Sequence, residues 1–587
     1  MSMLKNMLLH LLRTPARLLE PRRQSPAWSG IEPVIDAFNR KDHAQVISMC
    51  RAALQEEPQN VQANHFCGRA MIELNRHVEA EPCLRTAVTA DPEFAEAHAD
   101  LALVLRKTGQ LDAAEEHARR AVAIQPLEPR YRLRLADVLE DLARNQEALE
   151  ELSLAQEYAP DRLDILERLV IKLDLAGKYE AALRIAERAM MELGEKFETH
   201  FYLGYARLAM GDEDAAITHC RKAIGLRSNV PGVYVTLGRA LLAQGKLDEA
   251  MAAYKRALKV QPGNPAASFH LGVLNLLRGR YRDGWPGFEH RFGIAHGAKR
   301  PCEPRWNGTS LRERTLHVMR EQGLGDDIMY SSCYPQLISD ARHCVIECEP
   351  RLEKLFSRSF PQATFIPIVD NATMTETLKR DDVDVRIYSA SVPGHLRNSI
   401  RDFPAHQGYL KADPQRVAYW RGKLDGAGQG LKIGLSWRGG SIYTNRKRRT
   451  LSLETLHPLL ATPGVQWINL QYGDRAAEMA ALKDTSGIEI IDWPEAIDGD
   501  YDETAALVGA LDLVISVCTS VIHLTGALGR PVWVMVPYTP EWRYGFQGET
   551  MPWYPAVRLF RQPESNEWTS VIDRVRAELV GQFPQLR

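Results

Sequence analysis

A period of 34 residues runs without a gap through the first half of this 587-residue chain and leaves few folds open to it. Small residues return at one phase (Ala80, Ala114, Ala148, Ala182, Ala216, Ala250) and again seven positions on (Ala87, Ala121, Ala155, Ala189, Ala223, Ala257). Earlier in each unit an apolar residue precedes a small one, as in Cys67-Gly68, Leu101-Ala102, Leu135-Ala136, Leu203-Gly204, Leu237-Gly238 and Leu271-Gly272. A glycine closes most first helices (Gly109, Gly177, Gly211, Gly245, Gly279), and a proline follows most second helices (Pro58, Pro92, Pro126, Pro160, Pro262). Two antiparallel helices of about a dozen residues cannot bury their apolar faces alone, so such units stack on their neighbours through small side chains. The spacing predicts an all-α solenoid over residues 27–292. Gly194 and Ser228 stand where other units carry proline. Large aromatics then replace the small residues (Tyr281, Trp285, Phe288, Phe292), which predicts that the stack ends there against a different domain.

The pattern resembles the tetratricopeptide repeat, over about seven units and the start of an eighth. That resemblance implies a concave groove for a partner's peptide. A rigid spacer or dimerisation scaffold is the other reading, and no repeat position carries chemistry.

Residues 293–313, pinned by Trp306, read as a linker. Beyond them short β-branched runs alternate with helical segments: Thr315–Met319, Cys344–Cys348, Thr364–Pro367, Val383–Ile387, Lys432–Trp437, Val465–Leu470, Ile488–Ile491, Leu513–Val517 and Pro531–Val536. This alternation predicts parallel sheets covered by helices on both faces. Pro414 and Asp425-Gly-Ala-Gly-Gln-Gly430 divide the runs, giving lobes at 314–428 and 429–587 with ligand at the carboxyl ends of the strands.

The turn after the first of these runs is Glu321-Gln-Gly-Leu-Gly-Asp-Asp327. Gly323 and Gly325 let the backbone approach a ligand and leave free N–H groups where a helix begins. Two carboxylates there sit where a general base could meet a substrate hydroxyl. Three further clusters fall at strand ends in the second lobe. Trp437-Arg438-Gly-Gly440 leads into the basic run Thr444-Asn-Arg-Lys-Arg-Arg-Thr450, Leu470-Gln471-Tyr-Gly-Asp474 follows the sixth run, and Cys518-Thr519-Ser520-Val-Ile-His523 follows the eighth. Thr519 and Ser520 are placed to cap a helix whose dipole and free amides would hold a diphosphate. His523 lies one turn further on; beside an anion it could donate to phosphate, and otherwise it is a satisfied buried histidine.

With these motifs in view, residues 314–560 resemble the bacterial heptosyltransferase-type glycosyltransferases, which have the two-lobed, Rossmann-like GT-B fold, in the variant that follows tetratricopeptide repeats. The tandem layout is also similar to the O-linked N-acetylglucosamine transferases. The resemblance implies an inverting, metal-independent glycosyltransferase of hexosyl or heptosyl type that uses a nucleotide-diphosphate sugar and no cofactor. It implies Asp326 as base on the acceptor hydroxyl and Arg449 as partner of the diphosphate. Thr519, Ser520 and His523 would stand at the donor phosphates, with Gly323, Gly325, Arg438 and Gln471 completing the donor site. Such enzymes usually carry aspartate and glycine where this chain has Cys518 and Ser520, a departure that bears on the sugar and nucleotide. The stretches Tyr538–Tyr544 and Met551–Tyr554 resemble the repeat-linked variant and are expected at the cleft.

A net charge of −2 gives no pull toward nucleic acid, and 45% hydrophobic content is ordinary for a soluble protein. Nine scattered cysteines without a CxxC pair suit a reducing, cytoplasmic setting and offer no zinc site. The basic segment 1–26 (Lys5, Arg13, Arg17, Arg22, Arg23) reads as a short packed or frayed helix, with peripheral membrane contact as the second reading. The acid pairs Asp382/Asp384, Asp498/Asp500 and Asp500/Asp502 have the spacing a metal-dependent transferase would use. Three functions stay open at this point. The repeats recruit a polypeptide acceptor to a working transferase, or the acceptor is a membrane glycolipid or lipopolysaccharide, or the chain is an interaction scaffold whose transferase half has lost its chemistry.

Overall fold

The computed structural model describes residues 30–294, 300–440, 446–583 and 586. The basic segment 1–26, with Thr444 and Asn445 of the basic run, lies outside the described residues. The chain divides into two compact units, one reaching to Ala176 and taking in Arg184–Leu193, the other of Gly177–Leu183 and Gly194–Arg587.

The first unit is built of helix pairs: Ile31–Asn39 with His43–Glu56, Val61–Glu73 with His77–Ala90, Ala95–Lys107 with Leu111–Ile124, and Pro129–Asp141 with Asn145–Tyr158. Leu163–Leu175 follows them, and helix Tyr179–Leu193 is divided between the units. The second unit begins with three more pairs, Phe197–Met210 with Glu213–Leu226, Pro231–Ala243 with Leu247–Val260, and Pro265–Leu277 with Tyr281–Phe288. First helices from Val61 to Pro265 start 34 residues apart, as the period predicts.

The alanines at both repeated phases are buried. The glycines of the earlier position act within a pair: a Cβ on Gly68 would lie 2.6 Å from Leu84 Cγ, and one on Gly238 2.4 Å from Tyr254 Cε1. The turn between the two helices of each pair needs one left-handed residue. Gly109, Gly177, Gly211, Gly245 and Gly279 supply it, and Lys41, Asn75 and Ala143 adopt the same positive φ in the pairs that lack glycine.

The last pair departs from the rest as its aromatics predict. Its second helix shortens to Tyr281–Phe288 and runs into a 3-10 turn, Glu289–Gly293. Trp285 donates its indole N–H to the Arg397 carbonyl at 2.7 Å, and Trp285 and Phe288 both pack on Trp542, with ring centroids 5.5 and 5.6 Å apart. In the linker, Trp306 is buried and donates to the Thr309 carbonyl at 2.8 Å.

Two sheets follow. β1 (Thr315–Met319), β2 (His343–Cys348), β3 (Thr364–Pro367) and β4 (Val385–Tyr388) form a parallel sheet in the order β3-β2-β1-β4. The second sheet contains β5 (Leu431–Ser436), β6 (Val465–Asn469), β7 (Ile490–Ile491), β8 (Leu513–Val517), β9 (Val532–Val536), β10 (Thr550–Met551) and β11 (Tyr554–Arg561). Its order is β10-β11-β9-β8-β5-β6-β7, parallel except for β10. In both sheets the first strand lies inside and the chain winds outward from it in both directions. The gap between β5 and β8 is therefore a topological switch point, where α/β sheets open a crevice for ligands.

The predicted strands are present within a few residues, but β10 and β11 are additions. Residues Met551–Tyr554, expected at the cleft, end β10 and begin β11, and Trp553 and Tyr554 are buried. Pro555, Arg558 and Arg561 break the apolar run, so the segment carries little strand signal; pairing with β9 makes the strand. Pro414 opens a helix, Pro414–Gly426, which packs on helix Tyr501–Ala510; Trp420 donates to Glu503 at 2.9 Å. Among the described residues no helix is long and apolar enough to cross a membrane.

Candidate active site

A cleft of about 510 Å³ opens at the carboxyl ends of the second sheet. The turn after β5 (Ser436, Arg438, Gly439, Gly440), the turn after β6 (Leu470–Asp474) and the loop after β8 (Thr519, Ser520, Val521) form its floor. Leu324 and Arg351 reach it from the segments after β1 and β2. The glycine turn after β1 and the threonine–serine loop after β8, nearly two hundred residues apart, thus face one cavity.

Their helices touch. A Cβ on Gly325 would lie 3.2 Å from His523 Cδ2 and 3.3 Å from Ser520 Cα, so Gly325 serves close packing of the two helices. Gly323 is the N-cap of helix Leu324–Tyr330, and its N–H donates to Asp326 Oδ2 at 3.2 Å. Thr519 holds the N-cap position of helix Ser520–Ala527, but its hydroxyl turns to Ser516 Oγ at 3.0 Å and no side chain caps the helix. Ser520 Oγ accepts from the Tyr501 hydroxyl at 3.0 Å. Among the described residues the first-turn amides therefore have no side-chain partner at the cleft, the arrangement that suits an anion.

Gly439 brings the β5 and β8 loops together: a Cβ there would lie 2.5 Å from the Cys518 carbonyl oxygen. Cys518 itself is buried with its thiol toward the Met535 carbonyl, so its side chain faces the core. Gln471 Oε1 accepts from the Trp437 and Arg438 amides at 3.2 and 2.8 Å, which makes it a brace for the β5 turn. Arg438 pairs with Glu478 at 3.0 Å and donates to the Asp474 carbonyl.

Asp326, the predicted base, is held by Arg543, which falls in the stretch Tyr538–Tyr544 expected at the cleft. Its Oδ1 accepts from Arg543 Nη1 at 2.6 Å, and both side chains are mostly buried. Arg543 also faces Glu541 at 3.4 Å, and Glu541 pairs with Arg449 at 2.8 Å. Four alternating charges, Asp326, Arg543, Glu541 and Arg449, thus join the glycine turn after β1 to the loop after β5. The flanking carboxylates hold the Arg543 guanidinium charged despite its burial. Between them Trp542 rests on the last repeat, and Thr539 donates to the Ala243 carbonyl at 3.1 Å. The stretch Tyr538–Tyr544 is therefore a bridge between the repeats and the site.

His523 lies behind the cleft, 2% exposed, with Nδ1 at 3.0 Å from the Tyr554 hydroxyl. Burial, then Arg543 and Arg449, hold its pKa well below the usual histidine range, so it is neutral. Asp327 is also buried. Its Oδ2 accepts from Arg320 at 3.0 Å and from the Glu349 amide at 3.3 Å, and burial pushes its carboxyl up to about 7. Glu321 is a structural anchor, paired with Arg291 of the last repeat at 2.6 Å. The acid pairs are engaged too: Asp382 with Arg380, Asp384 with Arg342, Asp498 with Arg475, Asp500 with Lys354 and Asp502 with Arg358.

The tetratricopeptide repeat family matches residues 37–103, 77–133, 197–230 and 235–283. The N-terminal half is built of tetratricopeptide repeats. Across nearly its whole length the chain is similar to the FlbA protein of Caulobacter vibrioides, with 29% identity over 610 residues covering 94% of this chain and 96% of that one. Among solved structures it is similar to a tetratricopeptide repeat protein from Parabacteroides merdae (16% identity, 42% of this chain and 97% of that chain, TM-score 0.33). A repeat-containing protein from Cytophaga hutchinsonii gives 15% identity, 40% and 95% coverage and a TM-score of 0.31. Repeats of this kind imply a peptide or protein partner.

Proposed function

We propose that residues 314–560 are an inverting, metal-independent glycosyltransferase of the GT-B fold, acting on a polypeptide that the repeats recruit. The observation that carries this reading is the shared cleft: it takes in Leu324 of the glycine turn together with Gly439, Gly440, Thr519 and Ser520 at the β5/β8 switch point. An uncapped helix start and a glycine turn on the floor suit the diphosphate of a nucleotide-sugar donor.

The chemistry requires one proton acceptor and a sink for negative charge. As the acceptor hydroxyl attacks the anomeric carbon its proton passes to a carboxylate, which the reading assigns to Asp326. The departing diphosphate gains charge, which the open amides of helix Ser520–Ala527 and Arg449 would stabilise. In the free protein Arg449 is held by Glu541, so a bound diphosphate competes with that carboxylate. Arg543 orients Asp326 by donating to its Oδ1.

The test is donor binding followed by transfer. A thermal-shift screen against UDP-, GDP-, ADP- and CMP-sugars should show one that stabilises the protein, by about 2.7 kcal/mol at a hundred times its dissociation constant. The shift should shrink in Arg449→Ala, and Asp326→Asn should bind the donor without transferring sugar. Full transfer by Asp326→Asn would remove the base assignment.

A second reading is an interaction scaffold without catalysis. The Asp326–Arg543 pair favours it, because both carboxylate oxygens are already engaged, Oδ1 by Arg543 and Oδ2 by the Gly323 amide. Absence of a shift with every nucleotide sugar would select this reading.

A further inference from the structure

The turn after β6 is held on every side and still presents one aromatic ring to the cleft. Asn469, fully buried, accepts from the Gln471 amide at 2.8 Å and donates to Asp492 at 2.7 Å. Arg475, also buried, donates to the Gly473 carbonyl at 3.0 Å and pairs with Asp492 and Asp498 at 3.0 and 2.8 Å. Gln471 ties the turn to the β5 loop and donates to the Tyr472 carbonyl at 3.0 Å. Within this frame the Tyr472 side chain is 62% exposed and lines the cleft. The Arg351 guanidinium, from the first lobe, lies 5.9 Å from the centroid of that ring, and Glu349 holds Arg351 at 2.9 Å.

An exposed tyrosine on a mobile loop would lose much conformational entropy on stacking. Here a buried arginine and two carboxylates brace a short turn whose outward side chain is a flat ring facing a cavity. A braced ring loses little conformational entropy when it stacks, which is the condition for an effective aromatic platform. Tyr472 also sits beyond the end of β6, one strand out from the β5/β8 switch point. A diphosphate at Gly439 and Ser520 would leave its nucleoside to extend along the ends of the strands. Arg351 places a cation over the ring, within the reach of a cation–π contact.

We propose that Tyr472 stacks on the nucleobase of the donor and is the residue through which the cleft recognises a nucleoside rather than a bare diphosphate. This rests on the reading of the cleft as a nucleotide-sugar site. Stacking on a π-face is tolerant of base identity, so Tyr472 sets affinity for a nucleoside as a class, and the polar edges around it would choose among bases.

The experiment is isothermal titration calorimetry of the full chain with UDP, GDP, ADP and inorganic pyrophosphate, for wild type, Tyr472→Ala and Tyr472→Phe. Tyr472 is on the surface, so the variants should fold, and a melting curve for each checks it. The expected result is a nucleoside diphosphate bound at least tenfold more tightly than pyrophosphate by wild type. Tyr472→Ala should lose about tenfold for the nucleoside diphosphate with pyrophosphate unchanged, and Tyr472→Phe should match wild type. Equal affinity of wild type for both ligands, or an unchanged nucleoside affinity in Tyr472→Ala, overturns the stacking role and leaves the diphosphate site standing. Binding of neither ligand by wild type overturns the nucleotide-sugar reading and the stacking role with it.

Discussion

Arg543 donates to Asp326 at 2.6 Å, joining the glycine turn after β1 to the segment between β9 and β10. The same arginine faces Glu541, which pairs with Arg449, and Trp542 between them rests on the repeat aromatics Trp285 and Phe288. Position of the candidate base is therefore coupled through Arg543 and Trp542 to the end of the repeat array.

That coupling predicts a large effect of Arg543→Ala. Removing one partner leaves Asp326 and Glu541 mostly buried without their common cation, which should cost about 3 kcal/mol of stability. Arg543→Lys keeps the charge but loses the fork and should recover part of that loss. Urea denaturation of the three proteins measures both effects; an Arg543→Ala variant as stable as wild type would show that the pair is not maintained in solution.

Gly439→Ala should damage the cleft with no change in charge. The added methyl would meet the Cys518 carbonyl at 2.5 Å and Thr519 Cγ2 at 3.2 Å, so the β5 and β8 loops must separate. We expect a loss of about 2 kcal/mol, with nucleotide-induced stabilisation reduced more than for a variant elsewhere in the sheet. Calorimetric melting with and without ligand reads both.

In the repeats, Ala143→Gly should stabilise. Ala143 has φ 58° at the turn where five other pairs use glycine. Relief of the left-handed strain is worth about 1 kcal/mol, less the extra freedom glycine gives the unfolded chain. A higher urea midpoint is the expected outcome, and a lower one would place the chain entropy above the strain.

Asp327 gives a pH dependence of defined sign. Its folded pKa, about 7, lies above the ordinary aspartate value of 3.8, so between these the native state holds a proton that the unfolded chain releases. Its contribution to stability is present at low pH and is lost as pH rises toward 7. Asp327→Asn should remove this slope, seen as a wild-type-minus-variant difference in unfolding free energy that falls between pH 4 and 7. A flat difference would mean that Arg320 keeps Asp327 ionised throughout.

Two histidine pairs act in the opposite direction. His98 and His117 meet at 3.0 Å between Nδ1 atoms, as do His200 and His219, at corresponding positions three repeats apart. Burial holds all four pKa values below the usual histidine range, and only one proton fits between two facing nitrogens. The unfolded chain takes up protons as pH falls through 6.5 and the native pairs do not, so the stability they contribute above pH 6.5 is lost on acidification. The double variant His117→Asn, His219→Asn should show a shallower loss between pH 7.5 and 5.5. An unchanged slope would assign it to other groups.

The repeat array was legible because a 34-residue period places the same small residue at the same contact every time. Val61, Ala95, Pro129, Leu163, Phe197, Pro231 and Pro265 start their helices in that register. The inner strands were legible for the same local reason, as short β-branched runs between helical segments. β11 was not, because Tyr554–Arg561 mixes proline and arginine with apolar residues and becomes a strand by pairing with β9.

The sequence by itself determined the repeats, the alternation of strands and helices, and the loops that would meet at a cleft, because each depends on neighbours within a few residues. Only the tertiary structure decided what those side chains do. It turned Gly325 into a packing contact, Gln471 into a brace and His523 into a buried partner of Tyr554, and it brought Arg543 and Glu541 between Asp326 and Arg449. Charge pairing and burial act between residues hundreds of positions apart, and no local pattern carries that information.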